Sequence, residues 1–182
     1  MADSTPGTNS YSGGTSGDDD VKSNYGDKDG TTMDGGGGND TMRGGNYDDI
    51  ITGGGGNDMM FGGAGAAEFR FLGTQISGGS DADKIFDLNF GTGDTLRFQG
   101  FAEGTFVGAG AGTSGNGSRW TADSWADVVA IVAGSDKVAA SKGAGDNLVL
   151  RVVDADGDIQ DIIISNAWTA FTGAGGAADV II

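Results

Sequence analysis

The sequence predicts an all-β fold, and three observations carry that reading. Residues 35–70 divide without remainder into four nonapeptides, GGGGNDTMR, GGNYDDIIT, GGGGNDMMF and GGAGAAEFR. In the second half, NLVLRVVDADGDIQDIIIS sets two alternating apolar runs on either side of a turn, the pattern of a β-hairpin. Only WTADSWADVVAIVAG has helical periodicity, so one short helix is expected within a strand-rich C-terminal region.

Each nonapeptide has a fixed grammar. Glycines fill positions 1 and 2, aspartate fills position 6 in three copies (Asp40, Asp49, Asp58), and Met42, Ile51, Met60 and Phe69 fill position 8. A six-residue glycine turn followed by a three-residue strand satisfies this pattern, because glycine reaches φ > 0 without steric cost and lets successive carbonyls converge. A flexible glycine linker would explain neither the recurring apolar residue nor the recurring carboxylate. Converging carbonyls and carboxylates, with no thiol or imidazole nearby, suit a hard cation, and calcium takes about six to eight oxygen ligands of this kind. One buried Met or Ile per repeat returns less than the entropy lost on ordering nine residues, so the turns need a further ligand to hold their shape.

GGGGNDTMR and GGGGNDMMF match the pattern GGxGxDxUx at every fixed position, and the array resembles the repeats-in-toxin (RTX) nonapeptide family. The resemblance implies a right-handed parallel β-roll with two nonapeptides per coil, in which repeats 18 residues apart stack and clasp calcium between their turns. It implies ligands from the carbonyls of Gly36 and Gly38 with Asp40, and of Gly53 and Gly55 with Asp58. Gly45 and Asp49 belong to the alternate stack. There Tyr47 replaces a glycine and Ala67 replaces the fourth aspartate, so that site is expected to be weak or empty.

Beyond the array, EFRF alternates Phe69 and Phe71 as a strand that can close a narrow roll. DADKIFDLNFGTGDTLRFQGF is similar to the DxIxDFxxGxDxLxLxGF segment of serralysin-type and mannuronan-epimerase-type RTX modules, with Asp83, Asp87 and Asp94 at its acidic positions. Gly78, Ser80 and Asp83 resemble one more turn, able to complete a site with Gly54, Gly56 and Asp58 after a lengthened coil. Before the array, GTSGDDDVK aligns with Gly17, Asp19 and Val21 at positions 4, 6 and 8, and DKDG places Asp27 and Asp29 beside a glycine. An irregular first coil with a partial site is expected there.

The chain divides accordingly into a disordered lead-in (1–13), a calcium-binding β-roll (14–101) and a cap (102–182) that begins with a glycine-rich linker over 102–118. In the cap, Trp125, Val128, Val129 and Val132 make one apolar helical stripe, opened by a Thr or Asp cap and stopped at Gly134. Leu148, Leu150 and Val152 alternate before the hairpin turn, and Ile162 and Ile164 after it. The DADGD turn lacks the spacing and final glutamate of an EF-hand loop and reads as a plain turn. The closing Asp179-Val180-Ile181-Ile182 resembles the uncleaved export signal of serralysin-type substrates of type I secretion.

Composition narrows the function. The formal charge is −16 with only ten Lys and Arg, none in a basic run, which disfavours nucleic acid and anionic membranes. No cysteine or histidine is present, so disulfides, His-based zinc sites and Ser-His-Asp triads are excluded. No apolar stretch is long enough to span a membrane as a helix, and MADSTPGTNS has neither the basic nor the apolar region of a Sec signal. With Met1 and the apparent export signal read as its ends, no catalytic domain is expected between them. The expectation is a secreted protein that binds several Ca2+ ions, folds on binding them outside the cell, and serves as a non-enzymatic, self-associating component of an extracellular matrix or surface layer. The rival expectation is the calcium-dependent C-terminal module of an exoenzyme such as a protease, lipase or epimerase.

Overall fold

A computed structural model describes residues 10–23, 29–76, 80–101, 105–106, 119–153 and 157–177. Its strands form two sheets, and the chain passes from one to the other at every step through the first nine strands. In the first sheet β1 (Ser10–Gly13), β3 (Thr31–Gly37), β5 (Ile50–Gly55), β7 (Glu68–Leu72) and β9 (Thr95–Gln99) pair in parallel, and β10 (Arg119–Ala122) closes the row antiparallel to β9. The second sheet has β2 (Asp20–Lys22), β4 (Thr41–Arg43), β6 (Met59–Phe61) and β8 (Ser80–Ile85), also parallel. It continues through β13 (Ile159–Ile164), parallel to β8, and then β12 (Leu148–Val153) and β11 (Val138–Lys142), both antiparallel.

This alternation winds the chain in coils, and the nonapeptide explains why. Side chains alternate across a strand, so the middle residue of a three-residue strand points in while its neighbours point out. Register then stacks Met33, Ile51, Phe69 and Leu96 in one sheet, and Val21, Met42, Met60 and Ile85 in the other. All eight are buried. Parallel sheets wound in this way fit a β-roll. The strands of the first sheet are longer than three residues, since β3 and β5 run on into their glycine turns and pair Gly36 with Gly54 and Gly37 with Gly55.

Rings close the far end of the stack. Phe71 and Phe98 stack at 5.5 Å between centroids, Phe98 meets Trp120 at 5.6 Å, and Phe106 lies 5.0 Å from Phe98. In the hairpin Leu148, Leu150, Val152, Ile162 and Ile164 all point inward, as their alternation predicts. The middle of its turn, 154–156, lies outside the described residues.

Three details of the helices differ from the sequence reading. Helix α1 (Trp125–Gly134) is capped by Ser124, whose Oγ accepts from the Asp127 amide at 3.3 Å, and not by a Thr or Asp. Its buried stripe is Val128, Ile131 and Val132, with Val129 and Trp125 only partly covered. A second helix, α2 (Trp168–Gly173), packs against α1 through the buried Phe171, where a single helix was expected. A remote loop holds its first turn: the Asp146 carbonyl accepts from the Trp168 amide at 2.9 Å, and the Thr169 hydroxyl donates to the Asp146 carboxylate at 2.8 Å. No helix among the described residues is long and apolar enough to cross a membrane.

Candidate metal centre

Asp40 and Asp58, at position 6 of their repeats, form a ladder through the stack together with Asp19 and Asp83. Each sits two residues before an inward apolar residue, so the strand that buries the apolar side chain also turns the carboxylate into the coil. Asp40 Oδ1 accepts from the Asp19 amide at 2.8 Å, Asp58 Oδ1 from the Asp40 amide at 2.8 Å, and Asp83 Oδ1 from the Asp58 amide at 2.9 Å. Asp40, Asp58 and Asp83 are each at most 2% exposed, which puts carboxylates where only paired charges normally survive.

The second oxygen of each carboxylate separates them. Asp40 Oδ2 and Asp58 Oδ2 are buried and accept no hydrogen bond. Both face glycine cradles. A methyl group placed on Gly35 would lie 2.3 Å from Asp40 Oδ2 and 2.3 Å from the Gly53 carbonyl oxygen of the next coil. On Gly53 it would lie 2.3 Å from Asp58 Oδ2. The next residues of the turn leave no more space: Gly54, at φ +109°, has the Gly36 carbonyl 2.1 Å from such a methyl, and Gly56, at φ +119°, has the Gly38 carbonyl at 2.2 Å. Any side chain here would displace the oxygens, so glycine at these positions keeps an all-oxygen space open between coils. Among the described residues no three acidic side chains gather at one point. Most ligands must therefore be carbonyls, and an orphaned carboxylate oxygen surrounded by them fits Ca2+.

Electrostatics agree. Burial pushes the Asp58 carboxyl up to about 6, with the charges of Asp40 and Asp81 adding to the effect against the Asp40 amide that lowers it. Burial, reinforced by the Asp58 charge, lifts Asp83 well above the usual carboxylate range, and burial raises Asp40 as well. Holding these groups ionised at neutral pH calls for a counter-charge in the coil.

In the alternate stack Asp49 Oδ1 accepts from the Thr31 amide at 2.7 Å and Oδ2 from the Gly45 amide at 2.7 Å. The Gly44 cradle still joins Asp49 Oδ2 to the Gly62 carbonyl. One coil on, the Gly62 cradle meets the Ala67 methyl and the Phe69 ring where a carboxylate would stand. Asp94 sits beyond that gap, with Oδ1 on the Ala67 amide at 2.9 Å and Oδ2 on the Asn89 amide at 2.8 Å. Burial raises both Asp49 and Asp94. The exposed Asp87 grips the amides of Gly62 at 2.8 Å and Gly63 at 3.0 Å. Asp19 is half-buried and its Oδ2 takes the Thr15 amide at 2.6 Å and hydroxyl at 2.8 Å. Asp29 is exposed, while Asp27 and Gly78 lie outside the described residues. The Gly55 carbonyl accepts from the Gly38 amide at 2.9 Å, so it serves the backbone between coils.

A second ladder escaped the sequence reading. The Asp18 side chain accepts from the Asn39 amide at 2.7 Å, Asn39 Oδ1 from the Asn57 amide at 3.0 Å, and Asn57 Oδ1 from the Ala82 amide at 2.9 Å. It runs opposite to the aspartate ladder, since here the later coil donates to the earlier. Asp48 does the same for Ala66 at 2.8 Å in the alternate stack. The identical Asn39 and Asn57 at position 5 were the available signal.

Coils stacked through glycine cradles, with buried carboxylates facing carbonyls, define a calcium-clasping repeat protein. Residues 34–66 match the RTX calcium-binding nonapeptide repeat in four copies, so the chain carries RTX repeats there. Such repeats bind Ca2+, and proteins that carry them are generally secreted. No curated protein matches the chain.

Proposed function

We propose that residues 14–101 form a right-handed β-roll whose folding is gated by calcium, that 102–182 cap it, and that the protein works outside the cell as a non-enzymatic, self-associating structural component. The observation that carries this reading is the pair of buried, unpartnered oxygens on Asp40 and Asp58. At cytosolic calcium those charges oppose folding, which keeps the chain open for export through a type I apparatus. At extracellular calcium the charges become ligands. Self-association is supported by the stack's first coil: β1 and β2 stand at the ends of their sheets, with no further strand on their outer edges among the described residues. The export segment Asp179–Ile182 lies outside the described residues.

Calcium titration followed by circular dichroism and electron microscopy tests the proposal. The expected outcome is β-structure together with filaments or sheets, both appearing with calcium and lost in EGTA. A calcium-folded species that stays monomeric at all concentrations would refute the structural role and favour the exoenzyme module.

A further inference from the structure

The aspartate ladder has an end, and the residue that makes it comes from the far side of the chain. Among the described residues Asp83 is the last carboxylate of the ladder, and β13 takes the next place in the sheet through pairing with β8 from Ile159–Ser80 to Ile164–Ile85. Gln160, 3% exposed, projects from β13 and donates from Nε2 to Asp83 Oδ2 at 3.1 Å. In Asp40 and Asp58 the equivalent Oδ2 is an orphan, and at Asp40 it shares the Gly35 cradle with the Gly53 carbonyl of the following coil. The column thus presents the same oxygen four times and supplies it with protein donors only at its two ends, from Thr15 at Asp19 and from Gln160 at Asp83. A carboxamide N–H delivers partial positive charge and one directed bond without adding an anion. It can take the place of a cation at that oxygen while leaving nothing for a further cation to bind.

We propose that Gln160 terminates the calcium column: it satisfies Asp83 in place of a metal ion, so loading of this column stops at Asp58. The inference rests on the reading of Asp58 as a ligand. Gln160 is accordingly a positioning residue that sets the number of ions and ties the cap to the last turn of the roll.

Bound calcium is counted by titration calorimetry on the full chain and three variants, with circular dichroism at saturating calcium to check that each folds. Asp58→Asn should lower the count by one, Asp83→Asn should leave it unchanged, and Gln160→Glu should raise it by one by adding a second carboxylate opposite Asp83. An unchanged count in Asp58→Asn would overturn the underlying site assignment. If Asp58→Asn loses an ion and Asp83→Asn loses one too, Asp83 is an ordinary ligand and the termination proposal is wrong. Gln160→Glu also decides independently of Asp83→Asn: a folded variant with the wild-type count overturns the proposal.

Discussion

Replacing Asp58 by Asn should strengthen the metal-free fold and weaken the calcium-loaded one. The two side chains have the same shape, and Asn keeps an oxygen for the Asp40 amide, which now lies 2.8 Å from Asp58 Oδ1. What changes is the buried charge. Asp58 is raised from an ordinary 3.8 to about 6 in the metal-free fold. The folded chain therefore binds more protons than the unfolded chain across that interval. Stability without metal is highest below the ordinary carboxylate range and falls as pH rises through about 6. By neutral pH the loss at this one group is about 3 kcal/mol. Asp58→Asn escapes it, so in EGTA at pH 7.5 the variant should be more stable than wild type by up to about 3 kcal/mol, and near parity with it at pH 4. With calcium at 100-fold its dissociation constant the order inverts, since a lost site forfeits about 2.7 kcal/mol. Urea denaturation followed by circular dichroism, in EGTA and in calcium at both pH values, measures all four terms. A variant no more stable than wild type in EGTA at pH 7.5 would refute the claim that ionised Asp58 opposes the metal-free fold.

Asp58→Ala should raise the calcium midpoint for folding more than Asp94→Ala, with Asp49→Ala between them, because the oxygens of Asp94 and Asp49 already have backbone donors and only Asp49 still shares a glycine cradle with a carbonyl of the next coil; equal midpoints in a calcium titration would sink this ranking. Gly54→Ala should cost about 3 kcal/mol or more, since its φ is +109° and the new methyl would meet the Gly36 carbonyl at 2.1 Å, whereas Gly17→Ala, with nothing within 4 Å, should be nearly silent in thermal denaturation. Hydrogen exchange on the amides of 35–101 should show protection in calcium and its loss in EGTA, with magnesium unable to restore it because its octahedral demand suits wide carbonyl turns poorly; strong protection without calcium would mean that the roll folds unaided.

What could be read in the sequence was local and repeated. Asp40, Asp58, Met42 and Met60 recur at fixed offsets, and the coil follows from those offsets once a glycine turn joins them. The hairpin was legible for the same reason, as Leu148 to Val152 and Ile162 to Ile164 alternate. Gln160 was not, because it reaches Asp83 from 77 residues away through a parallel pairing that no local pattern announces. Helix α2 spans too few residues to show a period, and its cap is supplied by Asp146 rather than by a neighbour. At the start of α1, Thr121, Asp123 and Ser124 can all cap, and only the packing of Val128, Ile131 and Val132 selects the last of them.

The ladder also changes what counts as the unit of this fold. Its rungs are separated by 21 residues from Asp19 to Asp40, 18 from Asp40 to Asp58 and 25 from Asp58 to Asp83, yet every rung has the same amide-to-carboxylate bond. In the alternate stack a step of 27 separates Ala67 from Asp94 without breaking the contact. Asp-x-apolar is common to Asp19/Val21, Asp40/Met42, Asp49/Ile51, Asp58/Met60, Asp83/Ile85 and Asp94/Leu96. The nonapeptide is then only the shortest spelling of a three-residue word, and the text between words can lengthen freely at the turns. Foreign loops spliced between two such words, for instance after Leu72, should be carried as side branches of the coil, whereas a single residue inserted between Asp58 and Met60 would put the carboxylate and the apolar side chain on opposite faces of the strand.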